Sequence, residues 1–317
     1  MKILVTGGAG YVGSILTPRL LEIGHHVDVI DLFWFGDYLP EHPNLKKIKA
    51  DVRGVKQYNP ERYDVIFHFA SVANDPCTNL DPALSWEISC ESSYAIADAI
   101  ARANTETRVI YASSGSVYGI KTEERVTEEL ELVPISVYNK AKIVSERIFE
   151  SFKNKIPLQI VRPATVCGFA PRMRLDVAVN LLTMQALKNM EINVLGGDQF
   201  RPNIHILDLV NFYVFLLERP DITGTFNAGF ENITILSLAK RISHATGAII
   251  QIAPSNDPRS YRIDSSKALA LGFSPKFNVD YAIGEIVRNY KDRILKDREE
   301  FYNVNWMRLL MAEGSIK

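Results

Sequence analysis

Tyr138 and Lys142 stand four residues apart in the run Tyr138-Asn139-Lys140-Ala141-Lys142. On a helix that spacing stacks a phenol and an ammonium on one face. The lysine charge then favours the phenolate, drawing a phenol pKa of about 10 toward working pH. A tyrosine tuned this way is a general base or acid for a hydroxyl, which is the proton half of making or unmaking a carbonyl. Alone the pair is weak, because a packed tyrosine beside a solvated lysine produces the same spacing by chance.

The elements that would position it begin at the first residue. Met1-Lys2-Ile3-Leu4-Val5-Thr6 reads as a short apolar strand that runs directly into Gly7-Gly8-Ala9-Gly10-Tyr11-Val12-Gly13. Residues 14–24 then show helical spacing of Leu16, Leu20, Leu21 and Ile23, with Gly24 as a C-terminal cap. A second strand, residues 27–30, ends in Asp31 and Leu32. This is the setting a glycine-rich dinucleotide fingerprint requires. Gly7, Gly10 and Gly13, with Tyr11 and Val12 between, let the backbone turn and approach a pyrophosphate at the helix N-terminus. Asp31 can accept from both ribose hydroxyls. A phosphate-binding P-loop is excluded, since no Lys-Ser or Lys-Thr pair follows the glycines. Asp31 would repel a 2′-phosphate, and Leu32-Phe33-Trp34-Phe35 supplies no arginine to receive one, so NAD is favoured over NADP.

The chain has 317 residues, 47% of them hydrophobic, and a formal charge of −1. These values describe an ordinary globular chain with a large core. There is no basic run for nucleic acid and no apolar run of membrane-spanning length. The N-terminus reads as a strand rather than a signal peptide. Cys77, Cys90 and Cys167 lack metal-ligand spacing, so no metal site is expected, and they suit a reducing, cytoplasmic setting.

Apolar runs at residues 47–50, 63–69, 108–112 and 158–161 alternate with helical patterns, clearest at 82–103 and 136–152. The alternation implies an α/β protein with a Rossmann-type, doubly wound parallel sheet. Further helices are expected at 177–189, 207–218, 235–245, 265–271 and 281–290, with a strand at 224–227. Residues 1–165, with about 197–229, would form the dinucleotide-binding domain. A smaller mixed α/β substrate lobe would use about 166–196 and 230–317. The tail after Lys296 reads as a charged surface helix or an oligomer contact.

Beyond the strand at 108–112 comes Ser113-Ser114-Gly115-Ser116-Val117-Tyr118-Gly119, at the sheet end where α/β proteins hold ligands. The glycine motif, Asp31, Asp51-Val52, His68-Phe69-Ala70-Ser71, this serine run and Tyr138…Lys142 follow in order. Together they resemble the extended short-chain dehydrogenase/reductase family, in its NAD-dependent sugar-nucleotide epimerase/dehydratase branch, over residues 1–290. The resemblance implies Asp51 and Val52 near the adenine, Phe69, Ala70 and Ser71 along the cofactor, and Pro163 beside the nicotinamide with Arg162. Ser114 would be the catalytic serine, Tyr138 the acid/base, and Lys142 the residue on the nicotinamide ribose. Ser116, Thr165 and Arg174 would face the substrate. Arg201 and Arg259 would grip its nucleotide diphosphate, as suits guanidinium forks. A homodimer through residues 82–103 and 136–152, and a place in polysaccharide biosynthesis, are implied as well.

Departures from the family pattern narrow the chemistry. Gly115-Ser116 stands where 4,6-dehydratases carry an Asp-Glu pair. Pro171-Arg172-Met173-Arg174 fills the region where fucose-synthase-like enzymes place a histidine. Thr165 replaces an asparagine frequent in UDP-sugar 4-epimerases, leaving the nucleotide open, and Ser89 replaces the usual helix asparagine near the cofactor. Phe33-Trp34-Phe35 either lines the adenine ribose or caps the substrate mouth. The expected reaction is oxidation at C4 of a nucleotide sugar. If the keto-sugar turns before hydride returns, the outcome is epimerisation; if it leaves, the enzyme is a dehydrogenase or ketoreductase. A non-catalytic NAD-binding regulator is the rival reading, but it would not be expected to keep Ser114, Tyr138 and Lys142 together.

Overall fold

The computed structural model describes residues 1–255 and 260–316. The first two strands, β1 (Lys2–Thr6) and β2 (His26–Asp31), flank the helix Gly13–Glu22. They are followed by β3 (Leu45–Lys49), β4 (Val65–His68), β5 (Arg108–Ala112), β6 (Leu158–Pro163) and β7 (Thr165–Cys167). The later strands are β8 (Glu191–Leu195), β9 (Phe200–His205), β10 (Gly224–Ala228), β11 (Glu231–Thr234) and β12 (Ile249–Ala253).

Seven strands form one sheet in the order β10-β6-β5-β4-β1-β2-β3, with every pairing parallel. The order reverses between β1 and β4, which opens a crevice at their carboxyl ends. Alternation along β1 shows why the sheet must be covered twice: Ile3 and Val5 join one core cluster and Leu4 the other. The smaller layer is mixed, with β11-β9-β7 in one sheet and β12-β8 in another. Among the described residues, no helix is long and apolar enough to cross a membrane.

Two expectations about helices are corrected. Residues 82–103 are not one α-helix: Pro82–Trp86 passes through a π-turn at Glu87–Glu91 before Ser92–Ala103. Two adjacent serines bond back along the helix at this turn, Ser92 to the Ile88 carbonyl and Ser93 to that of Ser89, contacts of the kind that bend helices. Both hydroxyls also meet His68 Nε2 at 3.2 Å. The tail is not a charged surface helix either. The short turn Glu299–Phe301 and the helix Asn303–Ala312 bury Phe301, Met307 and Leu310. Met307, Leu310 and Ile316 belong to the same core cluster as Leu4 and Ile30 of the main sheet. The apolar stripe within the tail outweighs its charged opening.

Candidate active site

The glycine turn is shaped by backbone contact. Gly7 has φ +71°, and a Cβ there would lie 2.7 Å from the Ala70 nitrogen, so the exits of β1 and β4 press together. A Cβ on Gly13 would collide with the Gly8 carbonyl oxygen. Among the described residues no side chain caps the N-terminus of the helix Gly13–Glu22, which leaves its positive end for a ligand. At the end of β2, Asp31 accepts from the amides of Ala9 (2.9 Å) and Phe33 (2.8 Å). Burial raises its pKa, and these bonds and the charge of Arg172 oppose that rise. A tight turn, an uncapped helix end and a tethered carboxylate fit a dinucleotide.

The chemical end is built on the helix Val137–Ser151, whose N-cap Ser136 accepts from the Asn139 amide at 3.1 Å. Lys142 is 3% exposed. Its Nζ donates to the Ala112 carbonyl at 2.7 Å and lies 5.1 Å from the Tyr111 ring centroid and 5.9 Å from that of Tyr138. Burial holds its pKa down to about 8, against the pull of Glu146. Tyr138 departs from expectation. Burial raises its phenol above the ordinary value, while a hydrogen bond with Ser114 and the charge of Arg174 pull it down. Lys142, whose Nζ is 5.9 Å from the Tyr138 ring centroid, is not among the groups that pull the phenol down. Ser114 Oγ is 2.7 Å from Ser116 Oγ, which in turn accepts from Asn139 Nδ2 at 2.8 Å. One turn beyond Lys142, Glu146 makes a two-pronged pair with buried Arg162 at 3.0 and 2.7 Å.

The glycine turn, Asp31, the serines, Tyr138 and Lys142 open on one cavity of about 560 Å³, and the Glu146–Arg162 pair lies behind it. Along one side run Gly7, Gly10, Tyr11, Val12 and Gly13, then Asp31 and Leu32, with Asp51 and Val52 beyond. Asp51 is bound by Arg53 at 2.6 and 2.9 Å; burial would raise its carboxyl, but these bonds hold it below the ordinary range. Phe69, Ala70 and Ser71 lie across the β4 exit, and Ser114, Ser116, Tyr138 and Lys142 form the far wall. Pro163, Thr165, Arg174 and Arg201 complete it, and Arg174 pairs with Asp176 at 3.0 Å. Phe33, Trp34 and Phe35 line the Asp31 end.

Ser89 does not reach the cavity. It lies in the π-turn, 5% exposed, where its carbonyl accepts from Ser93 and Ser145. Arg162 turns away toward Glu146, so only Pro163 of that pair faces the site. Arg259 lies outside the described residues. Sequence reasoning missed Asn139, Arg172, Asn303 and Met307, all of which line the cavity. Arg172 falls in a stretch that differs visibly from the family pattern, a signal that could have drawn attention to it, whereas Asn303 and Met307 carry no local signal.

Residues 3–229 match the NAD dependent epimerase/dehydratase family. A UDP-glucose 4-epimerase of Lactobacillus helveticus is 27% identical, across 89% of this chain and 95% of its own. UDP-glucuronic acid decarboxylase 1 of Xenopus tropicalis is 27% identical, across 92% of this chain and 73% of its own. Among solved structures, the UDP-glucuronic acid 4-epimerase from Bacillus cereus, in complex with UDP-glucuronic acid and NAD, superposes with a TM-score of 0.79 at 27% identity, covering 92% of this chain and 100% of that one. The match across most of the chain, laid over a cavity that joins the glycine turn to the tyrosine, makes this protein a member of the NAD dependent epimerase/dehydratase family.

Proposed function

We infer that this protein is an NAD-dependent nucleotide-sugar epimerase acting through transient oxidation at C4 of the sugar. The observation that carries the reading is that the Tyr138 phenol and Ser114 line the same cavity as the glycine turn and Asp31. The chemistry supplied by bound NAD is reversible hydride transfer. Tyr138 takes the proton from the sugar hydroxyl and later returns it, while Ser114 donates to the same oxygen. Burial keeps the phenol protonated at rest, so positive charge in the cavity prepares it; Arg174 already supplies some. Lys142 uses one ammonium hydrogen on Ala112 and keeps two donors for ribose hydroxyls.

Arg201 and Arg174, with Arg259, would hold the diphosphate and sugar of the substrate against the smaller layer that contains β7, β9 and β11. UDP-sugars named for the relatives support a uridine nucleotide. We place the enzyme in the cytoplasm as a homodimer serving polysaccharide biosynthesis. Free cysteines support the compartment, and half-exposed Tyr94, packed on Phe152 across the two helices at 6.2 Å, supports the interface.

The test is a panel of UDP-, GDP-, CDP- and dTDP-sugars followed by NMR, with and without added NAD. Interconversion of C4 epimers without added cofactor is the expected result. Turnover that consumes added NAD in proportion to product would instead mean a net dehydrogenase. No conversion of any sugar nucleotide would overturn the reading.

A further inference from the structure

Arg172 is 2% exposed, yet its hydrogen bonds go to an amide and a carbonyl rather than to a carboxylate. Nη2 donates to Asn303 Oδ1 at 2.6 Å, Nη1 donates to the Met173 carbonyl at 3.3 Å, and Nε has no partner among the described residues. The guanidinium lies 4.3 Å from the centroid of the Phe35 ring, a cation–π contact that fixes its plane. A buried guanidinium with an unused donor is costly unless something supplies oxygen acceptors. Arg174, Asp176, Asp31 and Tyr11 act on it through space, and the Phe35 contact together with the shared cavity lining places it beside the loop after β2, near Asp31 and the glycine turn.

The C-terminal segment assembles this arrangement. Trp306 Nε1 donates to the Trp34 carbonyl at 2.6 Å, and Tyr38 donates to Glu300 at 2.8 Å while its ring lies 5.8 Å from that of Phe301. The Phe301 carbonyl accepts from the Leu175 amide at 2.8 Å. Residues 300–306 thus tie the loop after β2 to the segment after β7, and Asn303 and Met307 face the cavity between them.

We propose that Arg172 is a dinucleotide-binding residue, donating to oxygen acceptors of the adenosine diphosphate half, and that the helix Asn303–Ala312 holds it there through Asn303 and walls that half of the cavity. The proposal rests on the dinucleotide reading of the site. It accounts for Asn303, Phe35 and the buried tail together, and it gives the cofactor a reason to stay bound through turnover, as transient oxidation requires. Asn303 acts through Arg172 and is a positioning residue.

The test is equilibrium binding of NAD, ADP and nicotinamide mononucleotide to wild type, Arg172→Met, Arg172→Lys and Asn303→Ala, with circular dichroism to monitor folding. Arg172→Met should weaken NAD and ADP by about 10- to 100-fold, the range for losing a charge-assisted hydrogen bond. Arg172→Lys should recover part of the loss, and Asn303→Ala should weaken ADP several-fold. Nicotinamide mononucleotide should bind all four proteins alike. Uniform weakening of all three ligands would mean a structural role only, and equal ADP binding by wild type and every variant would equally overturn the proposal. Should wild type itself bind no NAD, it is the dinucleotide reading that falls.

Discussion

Lys142 aims its ammonium at the Ala112 carbonyl oxygen, 2.7 Å away, and stands 5.9 Å from the centroid of the Tyr138 ring. Burial drives the two groups in opposite directions, the lysine down to about 8 and the phenol up. Each shift disfavours the charged form, yet a lysine near 8 still holds its proton at neutral pH, so the resting pair is a neutral phenol beside an ammonium. Charge beyond that of Arg174 must arrive with the ligands to ready the tyrosine.

Replacing Tyr138 with Phe removes the proton carrier placed beside Ser114 at the end of the cavity. Turnover should fall by about 10²- to 10⁴-fold, the usual contribution of a general acid/base, with NAD affinity within a few-fold of wild type. Unchanged turnover would remove Tyr138 from its role.

The depressed lysine gives a signature in the cofactor-free protein. Its ordinary pKa is 10.5 and its folded value about 8. Below pH 8 both states hold the proton, and the folded state bears the full cost of a buried ammonium. Between pH 8 and 10.5 the unfolded chain holds a proton that the folded chain has released, so this residue makes stability rise with pH there. The stability of wild type relative to Lys142→Met should therefore increase by about 3 kcal/mol across that window, read from urea unfolding at each pH. A difference that stays flat would show that the amine is not desolvated.

Glu146 and Arg162 form a buried pair, with side chains 2% and 5% exposed. Glu146→Ala leaves the guanidinium without its counter-charge and should cost about 3–5 kcal/mol in denaturant unfolding. It also removes the acid that supports the Lys142 proton, so the Lys142 titration should move further down. Wild-type stability in Glu146→Ala would mean that water solvates Arg162.

Gly13→Ala tests the turn. The added methyl runs into the Gly8 carbonyl oxygen, and only a backbone shift relieves that contact. Overpacking of this kind costs about 1–3 kcal/mol, so NAD affinity should drop by about tenfold or more while the circular dichroism spectrum is retained. Titration of NAD into the variant checks it, and wild-type affinity would contradict the close approach.

Local patterns made much of this molecule legible before any coordinates. The glycine turn between strand and helix, Asp31 at the next strand end, and Tyr138 with Lys142 on one helix face are short-range relationships, decided by backbone sterics and the 3.6-residue repeat. The parallel sheet followed from apolar runs alternating with helical ones, and the serine run at 113–116 from its place just past a strand, with Ser114 singled out by the family resemblance. Other features depend on residues far apart in sequence. That Arg162 turns to Glu146, that Ser89 sits behind a π-turn, and that Arg172 meets Phe35 and Asn303 are outcomes of packing that no spacing encodes. The protonation of Tyr138 and Lys142 belongs with them, because desolvation is set by everything that surrounds a side chain. Sequence alone determined which groups could do the chemistry and on which elements they ride; the tertiary structure decided their charge, their partners and which end of the chain closes the site, since burial is a property of the whole fold.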